Sequence, residues 1–558
     1  MRAHRLMLAP ALLGLLLAAP PLAAPRVLAA ASWMPAPAMS VARSWHTATL
    51  LRNGTVLVAG GLDATGGPTA SVERYDPTTD TWAPAAPMTT PRAQHTATLL
   101  ADGRVLVTGG RTDLAEAGSS VEVYDPAADA WTAVAPLGVG RVRHSATLLR
   151  DGRVLVAGGE TSPGTAELFD PATGRWSPAG TLTTGRFSHT ATLLPNGRVL
   201  VAGGMLPLGT AACPSSNKVP CPTAAAEVYD PATNAWAVVA SSAAPHGFGH
   251  SATLLPDGTV LVVGGFTLAQ FMAERYDPAA NAWRRAGAPP PADFVRVEHT
   301  ATLLADGRVL IAGGGQAPST ASTALYDPAS NTWTPGPAMG IDRYRHTATR
   351  LLDGRVLVTG GGGIRVSSRA TAEVYDPGVP AACFVQTDVC MQGRFLAYWR
   401  AHGGLATNGY PLSYEFGQQL EDGNTYTVQY FERVRMEDHP ENPPPWDVEL
   451  GQFGRRILQE RTGHGTAPPA QPKDGFAYFQ VTGHNVAQDF YAYWQANGGL
   501  AQFGYPVTEE YQERLEDGKT YTVQYFERAR FERHPENQPP WDIELGQFGR
   551  QILAERGR

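Results

Sequence analysis

The stretch His46-Thr-Ala-Thr-Leu-Leu-Arg-Asn-Gly-Thr-Val-Leu-Val-Ala-Gly-Gly61 decides the fold of this chain. Its first half is apolar and rich in residues that favour β-strands. Asn53-Gly54 then offers the positive φ angles of a two-residue hairpin turn. A second apolar run, Val56 to Ala59, follows and ends at a glycine pair. The stretch therefore predicts one β-hairpin.

The same hairpin recurs along the chain, and each copy starts at a histidine. These histidines are His46, His95, His144, His189, His250, His299 and His346. After each glycine pair come a variable loop and a third strand that ends in an aromatic-Asp-Pro triplet. The triplet aromatics are Tyr75, Tyr124, Phe169, Tyr229, Tyr276, Tyr326 and Tyr375. Asp-Pro followed by small polar residues is typical of a turn, so a fourth strand should follow.

A tryptophan marks that fourth strand in most copies. The tryptophans are Trp82, Trp131, Trp176, Trp236, Trp283 and Trp333. Four strands per repeat predict the blade of a β-propeller. The seventh triplet has no tryptophan after it, but Trp33 stands before His46 as Trp82 stands before His95. We therefore expect residues 32–40 to supply the outer strand of the seventh blade and to close the ring, which removes exposed sheet edges.

The glycine pair, the Tyr-Asp-Pro triplet and the tryptophan together resemble the kelch repeat over residues 32–378. The His-Thr-Ala-Thr-Leu-Leu variant is similar to the bacterial kelch units of galactose-oxidase-like proteins. The resemblance implies an all-β, seven-bladed β-propeller of the kelch type, closed by an N-terminal strand. It also implies that partners bind on the face lined by the loops after the glycine pairs.

Composition restricts the class of protein. The chain of 558 residues has 60 Gly and 46 Pro, and only 17% of its residues are charged. This favours short strands and many turns over a helical protein. The net charge is −7, and we find no cluster of Lys and Arg outside the N-terminus. Nucleic acid is therefore not expected as a partner, since it requires clustered positive charge.

The N-terminus predicts export. Arg2, His4 and Arg5 form a basic region, Leu6 to Ala19 is apolar but too short to span a bilayer, and Ala29 to Ala31 offer cleavage sites. We therefore expect residues 1–31 to be a signal peptide and the protein to be secreted or associated with the cell surface, without a transmembrane segment. In an oxidising compartment the four cysteines should form two local disulfides, Cys213 with Cys221 and Cys383 with Cys390.

The repeated residues that could carry chemistry are the histidines and the arginines before them. A histidine copied into every blade indicates a copied hydrogen bond more strongly than a metal site, so we predict no metal ligand. An arginine precedes most histidines at Arg43, Arg92, Arg141, Arg186, Arg296 and Arg343, and Arg143 and Arg345 lie closer still. The predicted binding residues on the loop face are Arg43, Arg92, Arg143, Arg186, Arg296, Arg345 and His246. The alternative is that these arginines cap carbonyls of the neighbouring blade.

Specificity should lie where the copies differ. The longest variable loop runs from Met205 to Ala226 and contains the first cysteine pair, whose disulfide would stiffen it. The other candidate loops are 62–71, 111–120, 266–273, 315–323, 362–372 and the connection 284–298. These loops are poor in charge, which favours a neutral polar or carbohydrate partner.

The resemblance to galactose-oxidase-like proteins raises the possibility of an enzyme. Those enzymes hold copper with two Tyr and two His, including an adjacent Tyr-His pair, and cross-link one Tyr to a Cys. This sequence has no Tyr-His dipeptide; the nearest is Tyr344-Arg-His346. The propeller cysteines are expected to be paired with each other. We therefore assign no catalytic residue and no cofactor, and copper only under the alternative of an oxidase.

Residues 395–461 and 490–556 are a tandem duplication. Each copy predicts a short helix stopped by Gly-Gly, a hairpin turned at Asp-Gly and a final helix, that is, a small α+β domain. The Gly-Tyr-Pro segment distantly resembles LGFP-type repeats of bacterial cell-envelope proteins, which implies attachment to an envelope polysaccharide. The expected organisation is signal 1–31, propeller 32–378, first module 379–461, linker 462–475 and second module 476–558.

These features give two hypotheses about function. The first is an exported, monomeric, non-catalytic binding protein that recognises a protein or glycan through the propeller loop face, with C-terminal modules for envelope attachment. The alternative is a secreted galactose-oxidase-like copper oxidase, or another carbohydrate-active enzyme, on the same scaffold.

Overall fold

The computed structural model of the protein describes residues 31–113, 117–211, 213–214, 219–266, 273–287, 296–315, 319–363, 366–378, 381–420, 423–439, 442, 448–538 and 542–555. Apart from Ala31, the predicted signal peptide lies outside the described residues. No helix in these ranges is long and apolar enough to cross a membrane.

Within the described ranges up to residue 376, the chain forms seven four-stranded antiparallel sheets, which we number 1 to 7 in chain order. The first strands are Thr47–Leu50, Thr96–Leu99, Ser145–Leu148, Thr190–Leu193, His250–Leu254, Thr300–Leu303 and Thr347–Arg350. The second strands are Val56–Ala59, Val105–Thr108, Val154–Ala157, Val199–Ala202, Val260–Gly264, Val309–Ala312 and Val356–Thr359. The third strands are Val72–Asp76, Val121–Asp125, Thr165–Asp170, Ala226–Asp230, Ala273–Asp277, Thr323–Asp327 and Ala372–Asp376. The fourth strands are Thr81–Ala85, Ala130–Val134, Arg175–Thr181, Ala235–Val239, Ala282–Arg285, Thr332–Gly336 and, in sheet 7, Ser32–Ala36.

The hairpin predicted for His46–Gly61 is confirmed, but its turn differs from the expectation. The N–H of Gly54 donates to the carbonyl of Leu51, and Gly54 takes the left-handed conformation with φ of +84°. Asn53 does not; its side chain accepts the N–H of Thr55 at 3.1 Å. The loop is thus a three-residue loop with one left-handed glycine, an arrangement that also suits the twist of paired strands.

Sheet 7 is built from both ends of this region. Ser32–Ala36 pairs with Ala372–Asp376, and Trp33 lies opposite Tyr375. The first strand of sheet 7 contacts the first strand of sheet 1, and the six remaining pairs of consecutive first strands are also all in contact. The contacts between first strands therefore form an unbroken cycle. The second strands are buried along their whole length, so the apolar core lies between consecutive sheets.

A tryptophan on each fourth strand joins its sheet to the preceding one. Its indole N–H donates to a main-chain carbonyl there at 2.6–2.9 Å. The pairs are Trp33–Pro337, Trp82–Pro37, Trp131–Ala86, Trp176–Ala135, Trp236–Ala179, Trp283–Ala240 and Trp333–Ala286. Each indole also lies 4.9–5.2 Å, centroid to centroid, from the aromatic ring of a triplet. Such ring pairs contribute about 0.5–1.5 kcal/mol beyond their burial.

The C-terminal part repeats one α+β arrangement twice, as predicted. The first copy has the strands Ala381–Phe384, Val389–Gln392, Phe416–Gln419, Thr425–Tyr430, Arg435–Asp438 and Val448–Leu450 and the helices Gly393–Ala401, Gly404–Asn408 and Phe453–Thr462. The second copy has the strands Ala477–Phe479, His484–Val486, Tyr511–Arg514, Thr520–Tyr525, Arg530–Arg533 and Ile543–Leu545 and the helices Gln488–Ala496, Gly499–Phe503 and Phe548–Glu555.

The two copies exchange their last helices. Phe453–Thr462 of the first copy packs on Thr520–Tyr525 of the second, and Phe548–Glu555 of the second packs on Thr425–Tyr430 of the first. Twelve buried residues from both copies form one core cluster around these helices. The predicted modules 379–461 and 476–558 are therefore repeats of sequence but not separate packing units. We refer to residues 381–555 as the C-terminal body.

Glycine residues allow each exchanged helix to lie close to the backbone of the other copy. A β-carbon on Gly454 would lie 1.9 Å from the carbonyl oxygen of Phe526, and one on Gly549 would lie 1.8 Å from that of Phe431. Both positions therefore require glycine, which lets each helix approach the partner backbone. The ion pairs that flank the two contacts are Arg455–Glu527 and Arg550–Glu432.

One residue breaks the repeat of the first strands and joins the sheets to the C-terminal body. The first strands of sheets 1 to 6 end in leucine, whereas that of sheet 7 ends in Arg350. Its guanidinium donates to the Leu303 carbonyl at 2.7 Å, to the Tyr414 hydroxyl and to the Asp388 carboxylate at 2.7 Å. Burial raises the pKa of Tyr414 to about 12. Arg350 thus holds the C-terminal body against the turn face, meaning the face that carries hairpin turns such as Asn53–Gly54.

Candidate functional site

Each repeated histidine hydrogen-bonds to a hydroxyl of the preceding sheet. The Nε2–Oγ distances are 2.8–3.1 Å in the pairs His46–Thr347, His95–Thr47, His144–Thr96, His189–Ser145, His250–Thr190, His299–Ser251 and His346–Thr300. Burial lowers the histidine pKa, to about 3 in His46, His144, His299 and His346. The histidines are therefore neutral near pH 7, and each makes the copied hydrogen bond that the sequence favoured. Among the described residues, no group of three or more His, Cys, Asp or Glu is arranged to hold a metal ion.

In six of the seven sheets an arginine three positions before the histidine forms hydrogen bonds within its own sheet, and in sheet 5 His246 takes its place. Arg43 donates to the carbonyls of Gly60 at 2.9 Å and Ser71 at 2.8 Å, and to the Glu73 carboxylate at 2.9 Å. Glu73 also accepts the N–H of Ser40, on the segment that enters from the preceding sheet, at 2.7 Å. The corresponding ion pairs are Arg92–Glu122, Arg141–Glu167, Arg186–Glu227 and Arg343–Glu373, and in sheet 5 the His246 Nε2 lies 3.2 Å from the Glu274 carboxylate. These groups fix the start of each first strand.

The structure corrects the binding prediction for five residues. The side chains that lie inside their sheets are Arg43, Arg92, Arg186, Arg296 and His246, with 0–1% of their surface exposed. A side chain without exposed surface does not reach a ligand. The carbonyls that accept hydrogen bonds from these arginines belong to the same sheet as the arginine. The alternative prediction, that the arginines cap carbonyls of the neighbouring blade, is therefore wrong. Two predicted residues remain at the surface: the side chains of Arg143 and Arg345 are 29% and 35% exposed.

Arg143 and Arg345 belong to a set of seven residues that immediately precede the histidines, which we call the mouth ring. Its members are Trp45, Gln94, Arg143, Ser188, Gly249, Glu298 and Arg345. All seven have left-handed backbone, and the six that are not glycine have φ of 51–59°. This conformation is uncommon for residues with a side chain, and bulky residues such as Trp45 rarely adopt it. The same backbone thus carries six different residue types, with arginine occurring twice.

Main-chain hydrogen bonds run around the mouth ring. The N–H of one member donates to the carbonyl of the member before it in Trp45–Arg345, Gln94–Trp45, Ser188–Arg143, Glu298–Gly249 and Arg345–Glu298, at 2.8–3.2 Å. These bonds use main-chain atoms alone, so they hold the left-handed conformation whatever the side chain is. Backbone held in a costly conformation by its surroundings is common at functional sites.

The mouth ring places paired charges around an aromatic side chain. The guanidinium carbons of Arg345 and Arg143 lie 4.6 and 5.6 Å from the centre of the Trp45 ring, within the range of cation–π attraction. Arg345 pairs with Glu298 at 2.7 Å, and Arg143 pairs with Glu160 at 2.8 Å. Burial raises the pKa of Glu298, against the opposing effect of Arg345.

A cavity of about 250 Å³ opens inside the mouth ring. Its walls are the mouth residues of sheets 1 to 5, the histidines of sheets 1 to 4 and Phe248. Phe248 stacks on Phe266 at a centroid distance of 5.2 Å. The lining places aromatic rings, a guanidinium group, an amide and a hydroxyl around one small recess, which suits the binding of a small polar group.

Two of the residues predicted from the sequence, Arg143 and Arg345, are members of the mouth ring, and the other five members are not among the predicted residues. The prediction selected residue types that repeat, whereas the mouth ring is a repeated position filled by six residue types. The signal lay in the alignment of the copies: the residue before each histidine varies, although the histidine itself is present in every copy. The glutamate two residues before the triplet aromatic, which pairs with the buried arginine, is also not among the predicted residues.

Both predicted disulfides are present, Cys213–Cys221 in the long loop of sheet 4 and Cys383–Cys390 at the start of the C-terminal body. In the long loop, Met205–Leu206 pairs with Cys221–Pro222, so this loop has local structure of its own. Of the other candidate loops, 62–71 is described in full; in the remaining ones residues 114–116, 267–272, 288–295, 316–318 and 364–365 lie outside the described residues, as do residues 212 and 215–218 of the long loop.

Comparison with known proteins identifies the repeat. The Kelch motif model matches residues 47–89 and 91–138, which correspond to sheets 1 and 2. This match supports a kelch-repeat protein, in agreement with the all-β fold of four-stranded antiparallel sheets. No curated protein matches the chain. Among solved structures, the chain is similar to a novel fungal alcohol oxidase of the AA5 family in complex with copper, at 18% identity, over 62% of this chain and 76% of that one, with a TM-score of 0.48. A likeness at this level gives no evidence about function.

Proposed function

We propose that the protein is an exported, monomeric binding protein that recognises a protein or glycan ligand through the mouth ring on its loop face. One observation carries the proposal: a single constrained backbone conformation, repeated seven times, carries six different residue types, and five of the seven positions line one recess. A repeated scaffold with an unrepeated set of polar and aromatic side chains is typical of a recognition site.

We infer further that the seven sheets are the blades of one propeller and that Ser32–Ala36 closes it. Three independent features support this. Ser32–Ala36 pairs within sheet 7, the contacts between first strands form a cycle, and the hydrogen bonds of Trp33 and Trp82 continue the series across the junction. Closure leaves no open sheet edge between the two ends.

The remaining parts of the proposal concern organisation and location. We propose a signal peptide at 1–31, a propeller at 32–378 and a C-terminal region of two repeats, 379–461 and 476–558, joined by 462–475. Two disulfides are compatible with an extracellular protein. The C-terminal body would attach the protein to an envelope polysaccharide, which leaves the loop face directed away from the attachment point, since Arg350 holds the body on the turn face.

Binding of the mature chain to a glycan array and to envelope extracts tests the proposal. The variant Arg143→Leu/Arg345→Leu should lose most of the binding that depends on the loop face, because it removes both exposed guanidinium groups. A matched control is Arg153→Leu, an exposed arginine of the turn face that pairs with Asp151. If the double variant binds as the unchanged chain does, the mouth ring is not the recognition site.

The alternative, a secreted copper oxidase or another carbohydrate-active enzyme, has a separate test. Among the described residues, no group of three or more His, Cys, Asp or Glu is arranged to hold a metal ion, so these residues do not fit a copper site and we derive no reaction step through copper. Metal analysis of the purified protein should find no stoichiometric copper. One copper per chain, together with oxidation of a sugar alcohol, would replace the binding proposal with the enzyme.

A further inference from the structure

A cavity of about 1040 Å³ lies between the turn face and the C-terminal body. The ends of the first strands of sheets 4 to 6 form one wall, and the segments around Asp388 and Tyr414 of the body form the other. Small-molecule sites usually have volumes of about 300–1,000 Å³ and are common where two domains meet. The cavity therefore has the size and the position of a binding site, on the face opposite the mouth ring.

Much of the cavity surface is apolar. Leu254 and Leu303, at the ends of two first strands, lie on the side of the sheets, and Leu412 and Phe416 lie on the side of the body. All four side chains line the cavity and retain part of their surface unburied. Moving the apolar part of a ligand from water onto this surface is favourable. The cavity thus suits a ligand that carries a hydrocarbon chain.

The charges around the cavity are balanced except for one arginine. The three described carboxylates of the lining each pair with an arginine, in Asp257–Arg275, Asp277–Arg284 and Asp388–Arg350. Arg150 also lines the cavity and is exposed, and it forms no ion pair with a described residue; its guanidinium donates to the carbonyl of Pro195. One positive charge therefore remains at the solvent edge of the cavity.

This combination selects one class of ligand. A guanidinium group binds a carboxylate through paired N–H donors, whereas it repels a cation. A single carboxylate balances Arg150, and a hydrocarbon chain attached to it covers the apolar surface below. We propose that the junction between the turn face and the C-terminal body binds an alkyl monocarboxylate, that is, a fatty acid. This site is separate from the mouth ring and adds to the proposed recognition function.

Isothermal titration calorimetry on the full mature chain tests the inference with three probes below their micelle concentrations: decanoate, hexanoate and decyltrimethylammonium. Decanoate should bind. Hexanoate should bind at least about tenfold more weakly, because it buries fewer methylene groups. Decyltrimethylammonium has the same alkyl chain with the opposite charge, and it should bind at least about fivefold more weakly than decanoate.

Two variants test the two walls of the site. Arg150→Gln should weaken the binding of decanoate about fivefold, the effect expected of one ion pair at the edge of solvent. Arg52→Gln is the matched control and should change nothing, since Arg52 is the counterpart of Arg150 in sheet 1, donates likewise to a carbonyl of the next sheet and does not line the cavity. Arg350→Leu removes the bonds that hold the body against the turn face and should abolish the binding of decanoate.

The outcomes separate this site from the mouth ring. Equal affinity for decanoate and decyltrimethylammonium, or full affinity in Arg150→Gln, would contradict the assignment of a carboxylate. Loss of decanoate binding in Arg143→Leu/Arg345→Leu, or no binding of decanoate to the unchanged chain, would overturn the site itself. In each of these cases the recognition of a protein or glycan by the mouth ring is still judged by the array and extract experiment.

Discussion

Two residues of sheet 3 differ together from their counterparts in five of the other sheets. In five sheets the tyrosine hydroxyl of the triplet donates to an Asp or Asn five residues later, in the pairs Tyr75–Asp80, Tyr124–Asp129, Tyr229–Asn234, Tyr276–Asn281 and Tyr326–Asn331. These acceptors have left-handed backbone, which Asn and Asp tolerate best after glycine. In sheet 3 Phe169 has no hydroxyl, and Gly174 offers no side-chain acceptor. Donor and acceptor are thus absent as a pair.

This pairing can be restored stepwise. Phe169→Tyr alone should destabilise the protein by about 1–3 kcal/mol, because it buries a hydroxyl without a partner. Adding Gly174→Asn should recover most of that loss, since Gly174 already has φ of +66° and asparagine accepts this conformation. Urea unfolding of the two variants measures both values. Equal stability of the single and double variants would contradict the account.

Replacing only one partner of a buried ion pair should strongly lower the stability of the protein. Arg186 and Glu227 are both fully buried, so Arg186→Met leaves an unpaired carboxylate inside sheet 4 and should cost about 3–5 kcal/mol. Removing both partners, as Arg186→Met/Glu227→Met, should cost less than the single change. The exposed pair Arg198–Asp230 is the control: Arg198→Gln should cost less than about 1 kcal/mol. Chemical unfolding that gives both arginine variants the same stability would argue against this reading.

At the scale of elements, the strand Ser32–Ala36 completes sheet 7. A chain that begins at residue 41 should lose thermal stability throughout the propeller, because it loses the ladder to Ala372–Asp376 and both hydrogen bonds of Trp33 and Trp82 across the junction. A chain that begins at residue 31 retains all of these and is the control. Thermal melts followed by circular dichroism compare the two. Identical melts would show that this strand does not close the fold.

The connection at Arg350 can be separated from the propeller itself. Arg350→Leu restores the residue that ends the other first strands, but removes the bonds to Tyr414 and Asp388. The propeller should stay folded while the C-terminal body moves away from the turn face, which small-angle X-ray scattering detects as a larger radius of gyration. Arg52→Leu, on the turn face but bonded within the propeller to Ala101, should leave the radius unchanged. If Arg350→Leu leaves the radius of gyration unchanged, residues other than Arg350 hold the C-terminal body against the propeller.

The strands of the sheets could be predicted from the sequence because they depend on local residues. The exchanged helices and the mouth ring could not, because they depend on contacts between backbone segments that are distant in the sequence. Glycine pairs, Asp-Pro turns and tryptophans identify the four strands of each sheet, because each residue acts within its own repeat. The exchange of helices Phe453–Thr462 and Phe548–Glu555 left no such signal, since the same apolar residues would be buried on either copy. The mouth ring was equally hidden, because its main-chain bonds impose the left-handed conformation and only Gly249 reflects it in its residue type.

At the scale of the whole molecule, the buried histidines couple folding to pH. In the unfolded chain a histidine titrates near pH 6.5, whereas burial lowers the pKa of His46, His144, His299 and His346 to about 3. Below pH 6.5 the unfolded state therefore binds protons that the folded state does not, and this favours unfolding. Stability should be full above pH 6.5 and fall by up to about 1.4 kcal/mol per pH unit for each such histidine as the pH drops towards 3.

Thermal melts between pH 7.5 and pH 4.5 measure this effect. The midpoint should be nearly constant down to pH 6.5 and then fall with increasing slope. His144→Gln removes one titrating group, so its midpoint should start lower at pH 7.5 and fall less steeply. A midpoint that stays constant from pH 7.5 to pH 5 would show that the histidines are not kept neutral by the fold.

The mouth ring has a consequence for how such a protein diversifies. Since main-chain bonds hold the conformation of every member, a mutation there alters the chemistry of the recess while the folding of the sheets proceeds as before. Gln94 and Ser188 take part in none of the ion pairs or cation–π contacts described above, so each of them can vary singly and change the specificity. Arg345 and Glu298 pair with each other, so a change at one of them calls for a change at the other. A gene duplication followed by substitutions confined to these codons would yield a paralogue with the same scaffold and another ligand.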